Sequence, residues 1–99
     1  MKISILGTNM DLTPALKDYV EEKIGGLDKF YDGILEARVD VGITTKHHQK
    51  GEIYRAEVNL EVPQKHVLRA ESVKEDLYVA INEVKKDLQR QIKKFKAKL

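Results

Sequence analysis

The apolar residues of the C-terminal segment recur at helical spacing, and they constrain the fold more than any other feature of the chain. Successive apolar residues are three or four positions apart, at Leu77, Ile81, Val84, Leu88, Ile92, Phe95 and Leu99. At about 100° per residue, all of them lie within about 40° of Leu88 on a helical wheel. The opposite side carries Lys86, Arg90, Lys93 and Lys94. The pattern predicts one long helix with a buried side and a cationic side.

Charge is distributed unevenly along the chain. Residues 84–99 have a net charge of +6, with Asp87 as their one acid, whereas residues 1–83 have a net charge of −4. The basic residues of this segment are Lys85, Lys86, Arg90, Lys93, Lys94, Lys96 and Lys98. Cations spaced along a rigid helix can neutralise successive phosphates, so the segment predicts a polyanionic partner such as a nucleic acid.

The rest of the chain predicts one more helix and four strands. Thr13 and Pro14 are suited to the start of a helix, as N-cap and first helical residue, and an apolar stripe follows from Leu16 to Leu27. Gly25-Gly26 either ends this helix or permits close packing. Apolar and polar residues alternate in segments that we interpret as strands, namely 2–7, 35–44, 54–62 and 66–71. Ser72-Val73-Lys74-Glu75 matches a capping box, which would begin the last helix.

This order of elements, β-α-β-β-β-α, predicts a two-layer α/β (α+β) domain over residues 1–99. Short connections make strands two to four an antiparallel meander, whereas a helical crossover makes the first pair parallel. Each element has one apolar side, so both helices are expected on one face of a four-stranded sheet. The topology is that of a double-stranded-RNA-binding domain with an extra N-terminal strand. RNA is therefore the favoured polyanion, because A-form duplexes are recognised by backbone shape.

Other chemistry has little support in the sequence. There is no cysteine, no nucleophile motif and no glycine-rich phosphate loop, so we expect no enzyme activity and no cofactor. His47-His48 lacks a third ligand at suitable spacing, and we interpret it as part of a polar turn, with no metal site. In the same turn, Lys46 and Lys50 could contact phosphate. No apolar run is long enough to span a bilayer, and a soluble, cytoplasmic protein is expected.

Several motifs together resemble the ribosome hibernation-promoting factor and protein Y family. The most specific is Asp76-Leu77-Tyr78-Val79-Ala80-Ile81-Asn82, followed by Leu88-Gln89-Arg90-Gln91. Supporting stretches are Thr13-Pro14-Ala15-Leu16, Tyr19-Val20-Glu21-Glu22-Lys23 and Leu68-Arg69-Ala70-Glu71. The resemblance covers essentially the whole chain.

The resemblance implies a factor of stationary phase or stress that binds the small ribosomal subunit. In that family the domain occupies the channel between head and body, overlaps the A- and P-site tRNA positions and the mRNA path, contacts rRNA and silences translation reversibly. The family's basic positions match Lys23, Lys29, Arg90, Lys94, Lys96 and, less strictly, Lys98. Ribosome pairing would need a second factor or an additional C-terminal domain, and the sequence leaves both open.

Three residues of the matching region carry separate expectations. The family often has Lys where this chain has Asp87 and Gly26, so two positive charges are missing. Lys85, Lys86 and Lys93 lie on the same helix as Asp87 and could compensate. Tyr78 lies beside the apolar stripe, and a core position is favoured over base stacking.

Two other functions remain compatible with the sequence. The last helix could pair with another chain through Phe95 and Leu99, if these extend beyond the sheet, which would make the domain a protein-interaction module. The domain could also bind double-stranded RNA without preference for the ribosome.

Overall fold

The structure is a computed structural model that describes residues 1–44 and 51–99. It contains the predicted β-α-β-β-β-α order. The elements are β1 (Lys2–Thr8), α1 (Pro14–Gly25), a 3₁₀ helix (Gly26–Lys29), β2 (Glu36–Ile43), β3 (Tyr54–Val62), β4 (His66–Lys74) and α2 (Leu77–Ala97).

The four strands form one sheet in the order β1-β2-β3-β4. β1 runs parallel to β2, with Ile5 opposite Val39, and the other two pairs are antiparallel. Both helices cover one face, and the core lies between the two layers. Val58 of β3 and Leu88 of α2 are at most 1% exposed in this core. The predicted architecture is confirmed.

The start of α1 agrees with its prediction. Thr13 Oγ1 accepts a hydrogen bond from the Leu16 N–H at 3.1 Å, and Pro14 is the first helical residue. The α-helix ends at Gly25, where the 3₁₀ helix takes over. A Cβ built on Gly26 would meet no atom within 4 Å, so close packing does not require this glycine.

The predicted capping box at Ser72 to Glu75 is wrong. β4 continues to Lys74, and Ser72 is paired with Ala56 of β3 in the sheet. The N-cap of α2 is Asp76, whose carboxylate accepts the Tyr78 N–H at 2.9 Å. Asp caps a helix about as well as Ser does. β4 thus extends to Lys74, and α2 begins after Asp76.

Candidate nucleic-acid interface

The basic residues of α2 lie on its solvent side, as the periodicity predicts. Lys85 is half-buried, and the other basic residues of the segment are exposed, namely Lys86, Arg90, Lys93, Lys94, Lys96 and Lys98. The apolar side packs on the sheet and buries Leu77, Ile81, Val84, Leu88 and Ile92. Because the buried side fixes the rotation of α2, the cations are held along one outer surface of the domain.

One flank of α2 meets the α1 layer. Lys96 Nζ donates to the Phe30 carbonyl at 2.8 Å, just beyond the 3₁₀ helix. An ammonium has three donors, so this bond fixes the position of Lys96 while two donors remain. On α1, Lys23 Nζ lies 5.6 Å from the centroid of the Tyr19 ring. Lys29 belongs to the 3₁₀ helix rather than to α1, and it is exposed. Predicted cations thus flank both sides of the helix–helix boundary.

Tyr78 is not a core residue, contrary to the prediction. Its side chain is 42% exposed, and its ring packs edge to face on Tyr19 at 4.6 Å between centroids. The Tyr19 hydroxyl donates to the Tyr78 carbonyl at 3.3 Å. Tyr78 is the second residue of α2, where the helix has just begun to cover the core.

The other flank of α2 faces β4, and acidic residues there partly neutralise the basic residues of the helix. Arg90 forms an ion pair with Asp87 at 3.5 Å. Glu83 accepts the Ser72 hydroxyl at 2.9 Å and pairs with Lys74 at 3.4 Å. The hydrogen bond from Ser72, followed by the pairing with Lys74, lowers the pKa of Glu83. The N-terminal half of the solvent side of α2 is therefore mixed in charge.

The C-terminal half of α2 is more strongly cationic. Within the described part of the chain, no carboxylate forms an ion pair with Lys93, Lys94 or Lys98. Asp87 is the last acid before the end of this segment. A polyanion would therefore meet uncompensated charge around these three lysines.

The open face of the sheet compensates its own charge. Arg55 pairs with Glu57 at 3.1 Å and also with Glu71, and Arg69 bonds to Glu57. Partial burial alone would raise the pKa of Glu57, but the hydrogen bonds from Arg69 and Arg55 outweigh it and lower that pKa. This face offers a polyanion little net attraction, so the helical side is the better candidate.

Some predicted site residues lie outside the described residues. These are the turn lysines Lys46 and Lys50 and the pair His47-His48. In residues 1–44 and 51–99, no three His, Cys, Asp or Glu side chains are grouped closely enough to hold a metal ion. No helix in this part of the chain combines the length and hydropathy needed to cross a membrane.

A group of exposed residues next to the end of α2 was not predicted from the sequence. Lys65 is the last residue of the tight turn between β3 and β4, His66 is the first residue of β4, and both are exposed. Gln64 and His66 line the same groove as Lys94 and Lys98. The Lys65-His66 pair where the turn meets β4 was a usable signal, but only the tertiary fold brings it beside α2.

Fold and site together define a small two-layer α/β domain that carries its net positive charge on one helix. The chain belongs to the Sigma 54 modulation protein / S30EA ribosomal protein family, which it matches over residues 3–99. This match confirms the resemblance found in the sequence motifs.

Individual relatives agree with this assignment. The chain is 39% identical over 100 residues to a ribosome hibernation promotion factor of Bacillus subtilis and 37% identical to one of Lactococcus lactis. Each match covers 100% of this chain but only 50% and 51% of those proteins, so the chain spans about half the length of the curated relatives it matches.

A solved relative has the same fold. The crystal structure of the Thermus thermophilus protein Y N-terminal domain superposes with a TM-score of 0.82 at 35% sequence identity. The match covers 96% of this chain and 99% of the Thermus chain.

Proposed function

We propose that this domain is a non-catalytic ribosome hibernation factor that acts in the cytoplasm and binds the small ribosomal subunit. Its contacts would be with rRNA in the region of the A and P sites and the mRNA channel, so that binding silences translation and preserves idle ribosomes. Family membership over residues 3–99 carries this proposal, and it is supported by relatives named ribosome hibernation promotion factors.

The charge of the domain supports the helical side as the contact surface. The uncompensated lysines of α2 lie on the same side of the sheet as Lys23 and Lys29, which come from the α1 layer. The opposite sheet face pairs its arginines with glutamates. An rRNA surface would release the most counterions by docking on the helices. The proposed contacts are Lys23, Lys29, Lys85, Lys86, Arg90, Lys93, Lys94, Lys96 and Lys98, with Lys46 and Lys50 as additional turn contacts.

The packing of Phe95 weakens the protein-interaction alternative. Its ring lies 5.8 Å from that of Tyr31 and 5.7 Å from that of His66, both edge to face, and the side chain is half-buried. Phe95 therefore already has partners inside the domain. Leu99 is 62% exposed and lies beyond α2, which ends at Ala97.

The test is co-sedimentation with purified small subunits, large subunits and whole ribosomes at low and raised salt. We expect saturable binding to small subunits that weakens with salt and is lost when Arg90, Lys93 and Lys94 are all replaced by Glu. A matched control reverses the same number of charges at Lys2, Arg38 and Arg69, which are exposed and lie on strands rather than on the helices. The control variant should bind like the unchanged protein.

Three results would contradict the proposal. The folded protein could fail to sediment with any particle, or the α2 variant could bind as well as the control. Bare RNA duplex could also compete as effectively as subunits do, which would indicate a general double-stranded-RNA binder. If sedimentation velocity showed concentration-dependent oligomers that the α2 variant also forms, the protein-interaction module would be favoured.

A further inference from the structure

A groove lies beside the C-terminal half of α2, on the flank that faces β4. One wall is α2 from Gln91 onward, and the other is the start of β4 with the turn that precedes it. None of the residues that line this groove, all in the described part of the chain, has an acidic side chain. The next depression along the same flank has three acids in its lining, Glu71, Glu83 and Asp87, beside Ser72, Lys86 and Arg90. Charge thus separates two adjacent surfaces of one helix.

The floor of the groove is aromatic and apolar. Phe95 and Leu68 are half-buried there, and the exposed His66 packs its ring edge to face on Phe95. Tyr31 holds the Phe95 ring from within the domain. The His66 and Phe95 rings are therefore positioned before any ligand arrives. A flat heteroaromatic ring could stack on such a surface, as unpaired bases do on Phe and His.

The rim of the groove is cationic and carries amides. Lys94 and Lys98 extend from α2 and have no carboxylate partner in the described residues. Gln64 comes from the turn, and Gln91 is held in the wall by the bond from its Nε2 to the Arg69 carbonyl at 2.8 Å. Ammonium groups suit phosphates, and amides suit the hydrogen-bonding edges of bases.

We propose that this groove binds one unpaired nucleotide of a single RNA strand. The base would stack on the exposed ring of His66, which Phe95 holds edge to face, while Lys94 and Lys98 contact the flanking phosphates. A duplex could not make this contact, because its bases are already stacked and its edges are recessed. That the strand is ribosomal RNA rests on the proposed function, whereas the chemistry of the groove does not.

The direct test is a titration of the ¹⁵N-labelled protein with single-stranded dodecaadenylate, followed by NMR. We expect the largest shifts at the backbone amides of the groove, and smaller ones when the same strand is paired with dodecauridylate. His66→Glu should weaken single-strand affinity by about 5-fold or more, since a stacked base contributes on the order of 1–3 kcal/mol. Gln64→Glu, an exposed change on the opposite wall, should also weaken it.

The matched control is Ser4→Glu. Ser4 is exposed on β1 at the other edge of the sheet, and the change adds the same negative charge. Its affinity should stay within about 2-fold of the unchanged protein, because charges more than a Debye length away are largely screened. The amide spectrum of each variant verifies that it is folded.

The outcomes separate this inference from the proposed function. If the protein sediments with small subunits but dodecaadenylate shifts no groove amide, or if His66→Glu matches Ser4→Glu, the groove inference is overturned and the proposed function stands. If dodecaadenylate shifts the groove amides but no particle is bound, the groove inference stands and the proposed function fails. Equal shifts from strand and duplex would overturn the single-strand assignment.

Discussion

The Ser72 hydroxyl donates a hydrogen bond to Glu83 across 2.9 Å, and this bond joins β4 to the first half of α2. Lys74, two residues further along β4, pairs with the same carboxylate at 3.4 Å. The Ser72 bond and then the Lys74 charge lower the pKa of Glu83 from 4.5. The folded state therefore binds a proton at Glu83 less readily than the unfolded chain does.

This relationship predicts a pH-dependent contribution to stability. Because the pKa of Glu83 is lowered in the folded state, its contribution is fully present above about pH 4.5 and is lost as pH falls through the folded pKa. Glu83→Gln should therefore lower the free energy of unfolding at pH 7 and have a smaller effect at pH 3. Urea unfolding at the two pH values measures this. The control is Glu75→Gln at an exposed acid, which should change the free energy of unfolding little at either pH. Equal losses for Glu83→Gln at both pH values would contradict the prediction.

The cap of α2 gives a second prediction. Asp76→Ala should lower the free energy of unfolding by about 1 kcal/mol, because it leaves the Tyr78 N–H without its acceptor. Glu75→Ala changes the neighbouring exposed acid and removes no cap, so it should have little effect. Thermal and urea unfolding compare the variants. A loss for Glu75→Ala as large as that for Asp76→Ala would mean that Asp76 acts through charge rather than as a cap.

The cap also illustrates which parts of the fold the sequence can predict. The spacing from Leu77 to Leu99 predicted a helix and its buried side, because periodicity depends on the helix alone. The helix ends at Ala97, and Leu99 is 62% exposed rather than buried. As a local pattern, Ser72 to Glu75 matched a capping box, and Asp76 is also a residue type that caps helices. Asp76 is the cap because β3 pairs with β4 as far as Lys74, which keeps Ser72 in the strand. A four-residue motif does not encode such a long-range contact.

The candidate site divides in the same way. Lys86, Lys93 and Lys94 were predicted to lie on the solvent side of α2, and they are exposed, since the buried side of a helix determines its outer side. On the solvent side of α2, Glu83 is held by Ser72 and Lys74, which are distant from it in sequence. The groove at His66 likewise needs β4 to lie beside the end of α2. Tertiary neighbours, not local pattern, determine both features.

The turn between β3 and β4 gives a third prediction. Val62 pairs with His66, so the turn consists of Pro63, Gln64 and Lys65. Gln64 and Lys65 have φ angles of 68° and 61°, in the left-handed region. A side chain makes this conformation costly, whereas glycine adopts it readily. Lys65→Gly should therefore raise the free energy of unfolding by about 0.5–1 kcal/mol.

The control for this turn is Lys65→Ala, which removes the same charge but keeps Cβ. Urea unfolding should give no gain for alanine. If alanine stabilised the protein as much as glycine, the gain would come from charge or solvation rather than from relief of the positive φ angle.

Gly26 provides the last prediction, which depends on the proposed function. Its φ of −62° and ψ of −15° are right-handed helical values, and an added Cβ would meet nothing within 4 Å. Both Gly26→Ala and Gly26→Lys should therefore raise the free energy of unfolding by about 0.4–1 kcal/mol, since the unfolded chain loses freedom. The hibernation-factor family that the sequence resembles often has a lysine at this position.

The two substitutions differ in charge, and this difference isolates the RNA contact. Gly26→Lys should bind small subunits more tightly than Gly26→Ala and steepen the slope of log affinity against log salt by about one unit, as one new phosphate contact would. Co-sedimentation across a salt series measures both slopes. Equal slopes, with both variants folded and more stable than the unchanged protein, would mean that position 26 lies outside the bound surface.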